Sequence, residues 1–217
     1  MVRLLILVEG QTEALFSDTV LRPYLAQKGV FLDKASIVVT RNNPKGSNDK
    51  GGYANLDRIT PQLETKLKSA IQFNGYVTTL FDFYACGWRN ETETIMQVEE
   101  KLKTAVTDGA DRLIPYLQKH EYEGLLFSDP TILSEELDAS KLKHVNSILQ
   151  NFDTPEDINS KRETCPSSRL KALFPSYDKV LHGQQIAEKI GIDTIRERCP
   201  RFNHWISRLE ELANTNQ

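Results

Sequence analysis

The chain has 217 residues, enough to bury a full hydrophobic core, and the balance of a globular protein. Its net charge of -3 excludes a global attraction to nucleic acid, so any such contact has to use a local basic patch or a bound cation. Cys86, Cys165 and Cys199 form no Cys-x-x-Cys pair, which argues against a zinc site or a disulfide framework and fits a reducing, cytoplasmic setting.

The first element expected is a strand. Leu4-Leu5-Ile6-Leu7-Val8 is apolar throughout, as a strand buried on both faces of a parallel sheet must be. It ends in Glu9-Gly10-Gln11-Thr12-Glu13, too soon for a signal-peptide core, and no later stretch approaches a membrane span. Gly10 is read as permitting a tight turn. Leu15, Phe16, Val20, Leu21 and Leu25 then recur at helical spacing over 12–25. Glu9 thus closes a strand and Glu13 lies in the first helical turn beside it, at the sheet edge where α/β proteins bind ligands. A first-turn acid is also what the helix dipole favours, so Glu13 alone carries little weight. An acid closing a buried strand faces desolvation unless a cation or donors compensate, so Glu9 carries more.

A second strand is expected over 36–40, followed at 41–52 by a segment too rich in turn formers for regular structure, read as a mobile surface loop. A helix is expected over 55–73. The next strand, 76–81, ends in Asp82, so an acid again caps an apolar run. Residues 82–93 read as a loop, 94–106 as a helix and 113–117 as a fourth strand leading to His120-Glu121-Tyr122-Glu123. The remainder reads as mainly helical. Alternating strands and helices predict an α/β, Rossmann-like three-layer domain with a mainly parallel sheet over 1–130, and a C-terminal helical elaboration over 131–217 packed on it.

Glu9, Glu13, Asp82 and one or both of Glu121 and Glu123 then converge at one edge. Ionised carboxylates in close approach repel one another, so either their pKa values rise or a divalent cation sits among them. Oxygen-only ligands favour Mg²⁺ or Mn²⁺ over zinc. Glu121 and Glu123 share a face on a strand and point apart on a helix; the helical apolar face of Tyr122, Leu125 and Leu126 favours Glu123 as the direct ligand. His120 reads equally as a surface histidine or as a support for that shell.

These residues resemble the Toprim superfamily, which places a Glu after the first strand and acids after a later one to bind Mg²⁺ for phosphoryl transfer. The Glu9 to Glu13 segment and Asp82 are similar to the nuclease module of the overcoming-lysogenization-defect nucleases. A closer resemblance is to the Toprim-like domain of unknown function 4276, through Val8-Glu9-Gly10-Gln11-Thr12-Glu13, Asp82-Phe83-Tyr84, the box from His120 to Phe127, and Ser168-Arg169-Leu170-Lys171-Ala172-Leu173-Phe174-Pro175. Tyr84 stands where the familiar Asp-x-Asp has its second Asp. The resemblance implies a Mg²⁺-dependent nuclease in a prokaryotic defence setting, with nucleic acid as substrate and a separate ATPase as partner. Glu9, Glu13, Asp82 and Glu123 would hold metal, and Glu9, Asp82, Glu121 and Lys171 would carry catalysis. His120, Arg169 and Lys179 would support the shell or the substrate. For each of these basic residues a solvated helix face is the simpler reading. The rivals are a metal-binding regulatory subunit of an ATPase and a nucleotide phosphohydrolase.

Overall fold

The computed structural model describes residues 2–39, 55–159 and 161–214. The segment 41–52, expected to be a mobile loop, and Thr40, expected to end the second strand, lie outside the described residues.

Strand β1 (Val2–Val8) is followed by a helix in three parts: α1 (Gln11–Phe16), a π-helical stretch (Ser17–Leu21) and α2 (Arg22–Gln27). Pro23, which has no N–H to give, lies just past the π-helical stretch, where the wider winding relaxes the ladder. Strands β2 (Val30–Leu32) and β3 (Ser36–Ile37) come next, then α3 (Leu56–Gln72), whose N-cap Asn55 side chain accepts from the Arg58 N–H at 3.1 Å. Strand β4 (Tyr76–Asp82) leads through a 3₁₀ turn (Phe83–Ala85) to α4 (Ile95–Ala105), started by a Thr94/Gln97 capping box.

The strand expected over 113–117 is two short pieces, β5 (Leu113–Ile114) and β6 (Leu117–Gln118). Pro115 breaks the pairing between them because it has no ladder donor, and the Thr79 hydroxyl holds the next residue instead, accepting from the Tyr116 N–H at 2.9 Å and donating to its carbonyl at 3.0 Å. A 3₁₀ helix (Tyr122–Ser128) follows, then α5 (Pro130–Leu137), α6 (Leu142–Leu149), α7 (Pro166–Leu173), α8 (Lys179–Ile190), α9 (Ile192–Arg198) and α10 (Pro200–Glu211).

The sheet runs β2-β1-β4-β5, with β3 also on β1 and β6 also on β4, and every described pairing is parallel. Alternation along β1 divides the core. Leu4, Ile6 and Val8 face α1, α2 and the C-terminal helices, joining Phe16, Leu21, Phe202, Trp205 and Ile206. Leu5 and Leu7 face α3 and α4, joining Leu63, Leu67, Val98 and Leu102. Helices therefore cover both faces, which is the Rossmann-like three-layer arrangement expected. Helices after residue 130 complete one outer layer, so that layer is built from both ends of the chain. Among the described residues no helix is long and apolar enough to cross a membrane.

Candidate functional site

Parallel pairing sets Val8 of β1 opposite Leu80 of β4, so Glu9 and Asp82 leave the sheet at the same carboxyl edge. The Glu9 N–H donates to the Leu80 carbonyl at 3.3 Å. Its side chain crosses to the tip of β4, where Oε2 accepts from the Asp82 N–H at 3.1 Å. Asp82 in turn holds the next segment, because its Oδ1 accepts from the Tyr122 N–H at 2.9 Å.

Glu13 lies in the first turn of α1, 5% exposed, folded back over Gly10. The backbone of Gly10 is extended at φ -152°, a conformation open to any residue. The expected glycine-dependent turn is therefore corrected: what glycine supplies here is room, since a Cβ would stand 3.1 Å from Glu13 Oε2.

His120 takes φ +66°, in the left-handed region. That bend lets its carbonyl accept from the Tyr84 N–H at 3.2 Å and sends Glu121 and Glu123 to different places. Glu121 Oε2 accepts from the Ser167 N–H at 2.9 Å, in the first turn of α7. Glu123 turns inward, 3% exposed, with Oε1 buried and without a partner. His120 Nδ1 is also buried and unpartnered, and burial lowers the imidazole pKa.

The electrostatics follow from burial and like charge. Burial pushes Glu9 up to about 7; the Glu13 charge adds to this, while the Asp82 N–H and Lys179 oppose it. Burial also raises Glu123 to about 7 against the pull of Lys179, and raises Glu13 against nearby backbone amides. Asp82 stands well above the carboxylate range, through burial first and then the charges of Glu9, Glu13, Glu123 and Glu121. Lys179 opens α8 on the rim of this group. Burial would lower its pKa, but Glu123, Glu13, Asp82 and Glu9 outweigh that and raise it.

The fold thus gathers Glu9, Glu13, Asp82, Glu121, Glu123, His120 and Lys179 at one edge. It does not bring the other two basic candidates there. Lys171 is exposed beside Asp178. Arg169 is tied down by its Nε donating to the Thr164 carbonyl at 2.6 Å and lies over the Phe152 ring at 5.5 Å. Several neighbours went unrecognised in the sequence: Ser167, which holds Glu121; Tyr122, whose hydroxyl donates to the Gly183 carbonyl at 3.1 Å; and Thr12 and Tyr177, discussed below. Thr12 lay inside the first motif. Tyr177 and Gly183 carried no signal, because their role depends on where α8 packs.

Among the described residues no group of three Asp, Glu, His or Cys side chains is drawn together closely enough to hold a metal ion as it stands. The donor set nevertheless suits a hard cation: all oxygen, desolvated, mutually repelling, and with Glu123 Oε1 unpartnered. The family described as Domain of unknown function (DUF4276) matches residues 8–210, and the chain belongs to it. No curated protein and no solved structure matches the chain.

Proposed function

We propose that this protein is a Mg²⁺- or Mn²⁺-dependent hydrolase of phosphodiester bonds, a Toprim-like nuclease acting in the cytoplasm. The observation that carries this reading is the under-neutralised group of acids at the carboxyl edge of β1 and β4. Asp82 is raised by burial and by the charges of Glu9, Glu13, Glu123 and Glu121, and Lys179 is the cation that faces the group. Glu9, Asp82, Glu13 and Glu123 would hold the cation, with Glu121 kept at the rim by Ser167. A divalent cation there supplies Lewis-acid stabilisation of the charge that develops on a phosphate.

The chain's own residues supply the rest. Glu9, braced on the Asp82 amide, and Asp82, braced on Tyr122, are held by backbone donors and so keep their aim. Lys179, on the solvent side of the acids, is the better placed of the basic candidates to meet a phosphate oxygen, in preference to Lys171. His120, bound into the same turn, orients the Glu121 to Glu123 segment. Water is the nucleophile in this reading. Nucleic acid is the substrate, and a separate ATPase in a prokaryotic defence setting is the partner that delivers it.

Purified protein with Mn²⁺ should nick plasmid DNA or cut RNA. Glu9→Gln and Asp82→Asn should lose that activity, and Lys179→Ala should weaken it with metal binding kept. Activity surviving both acid substitutions would contradict the reading. Tyr84 in place of an acid, and the absence of a ready-made coordination group among the described residues, favour one other reading, a regulatory subunit that binds a single cation. Metal binding without cleavage of DNA, RNA or nucleotides, with or without the ATPase, would select it.

A further inference from the structure

Behind the acids, where α1, the 3₁₀ helix Tyr122–Ser128 and α8 meet, lies a second polar group. Thr12 is 2% exposed, Glu123 3% and Tyr177 5%, and Thr12 Oγ1, Glu123 Oε1 and Tyr177 Oη are all buried without a hydrogen-bond partner. Thr12 and Tyr177 close on Gly183 of α8, together with Tyr122, which precedes Glu123: a Cβ there would lie 3.4 Å from Tyr122 Cε1, 3.5 Å from Thr12 Cγ2 and 3.6 Å from Tyr177 Oη. Glycine leaves the Tyr177 hydroxyl open toward the helix. The other hydroxyl at this junction, that of Tyr122, is already spent on the Gly183 carbonyl. After burial, the Glu123 charge is the strongest influence raising the pKa of the Tyr177 hydroxyl.

A buried acceptor and two buried donors left apart each cost on the order of 1–3 kcal/mol. Such atoms, enclosed together, are an unfinished network rather than independent defects. The Tyr177 hydroxyl makes no hydrogen bond, and its ring stacks on His182 with centroids 6.1 Å apart.

We propose that Tyr177 is a positioning residue for Glu123. Its hydroxyl donates to Glu123 Oε1, through direct contact or one buried water shared with Thr12, and so turns the other carboxylate oxygen toward the acid edge. The role rests on the reading of that edge as a cation site. Tyr177 acts through Glu123 and does not itself touch the cation or the substrate.

The test has two arms. In the first, Mn²⁺ binding to the intact protein is measured by calorimetry for wild type, Tyr177→Phe and Thr12→Val, alongside the melting temperature without metal. Tyr177→Phe should weaken Mn²⁺ binding about tenfold, as loss of one hydrogen bond to a charged group does. Its melting temperature should be unchanged or higher, because it removes a buried hydroxyl that makes no other bond. Thr12→Val should show a smaller loss. Unchanged affinity in Tyr177→Phe overturns the proposal, and so does an affinity loss accompanied by a lower metal-free melting temperature. In the second arm, a metal-free crystal structure of wild type should show Tyr177 Oη and Glu123 Oε1 joined directly or by one shared water. Both atoms bonded elsewhere would overturn the proposal. If wild type binds no Mn²⁺, the cation reading fails, and the second arm still decides whether Tyr177 positions Glu123.

Discussion

Two sets of buried carboxylates in this molecule have opposite fates. Glu156 is buried beneath α10, and its oxygens accept from the Arg201 and Phe202 N–H groups at 2.9 and 3.1 Å, in the first turn of that helix. Glu99 on α4 accepts from the Leu117 N–H at 2.9 Å, on the edge of β6 away from β4, and from Arg201 Nη2 at 2.6 Å. Burial raises both pKa values, but every other influence on them pulls downward. At Asp82, burial raises the pKa and the four neighbouring carboxylates raise it further. Burial alone therefore does not mark a functional acid. The first set is neutralised by its own fold, while the second is gathered at a sheet edge and left short of positive charge, the condition in which a ligand completes the structure.

The sharpest way to break this contrast is to remove one acid from each set. Glu156→Ala should cost on the order of 3 kcal/mol in chemical denaturation, because two helix-terminal amides and a buried charge interaction are lost together. Glu123→Gln should leave the metal-free protein as stable or more so at neutral pH. Equal losses would erase the distinction.

A pH series sharpens the same point. Glu123 and Glu9 lie at about 7 in the folded chain against an ordinary value of 4.5. The native state therefore holds protons that the unfolded state releases. Their contribution to stability is complete below pH 4.5 and is lost as pH rises through 7, a decline on the order of 2 kcal/mol for each group between pH 5 and pH 8. Glu123→Gln should reduce that decline in metal-free protein, as followed by denaturant midpoints, by more than Glu156→Gln does.

A smaller effect is expected at Asp82. Asp82→Asn should raise or preserve the metal-free melting temperature and abolish its increase with Mg²⁺, worth about 1–2 kcal/mol at moderate saturation. Unfolding of the variant without metal would assign Asp82 to the structural set. The smallest effect is at His120, whose φ of +66° glycine adopts freely. His120→Ala should destabilise by about 1 kcal/mol, and His120→Gly should not, by thermal melting.

Much of this edge is legible in the sequence because an apolar run ending in an acid states both a buried strand and what leaves it. β1 with Glu9 and β4 with Asp82 were readable on that ground. So were α3 and α4, whose apolar spacing and N-caps Asn55 and Thr94 agree with their observed starts. Other features were hidden for physical reasons. β2 is three residues long and owes its existence to pairing with β1, from Val2 opposite Val30 to Leu4 opposite Leu32. The Asp129-Pro130 start of α5, where Asp129 accepts from the Thr131 and Ile132 N–H groups at 2.9 and 3.0 Å, was a readable signal within the stretch expected to be mainly helical. The separation of Glu121 from Glu123 depends on the left-handed turn at His120 and on α7. The choice of Lys179 over Lys171 depends on how α8 packs against α1, and helical spacing within either segment contains neither fact.

The most direct test of the account is anomalous scattering from crystals soaked in Mn²⁺. The account predicts a peak at the carboxyl edge of β1 and β4, within about 2.0–2.3 Å of carboxylate oxygens from Glu9, Asp82 and the Glu121 to Glu123 segment, and none at Glu156 or Glu99. No peak at that edge under saturating Mn²⁺, with Glu9 and Asp82 still side by side, would contradict it.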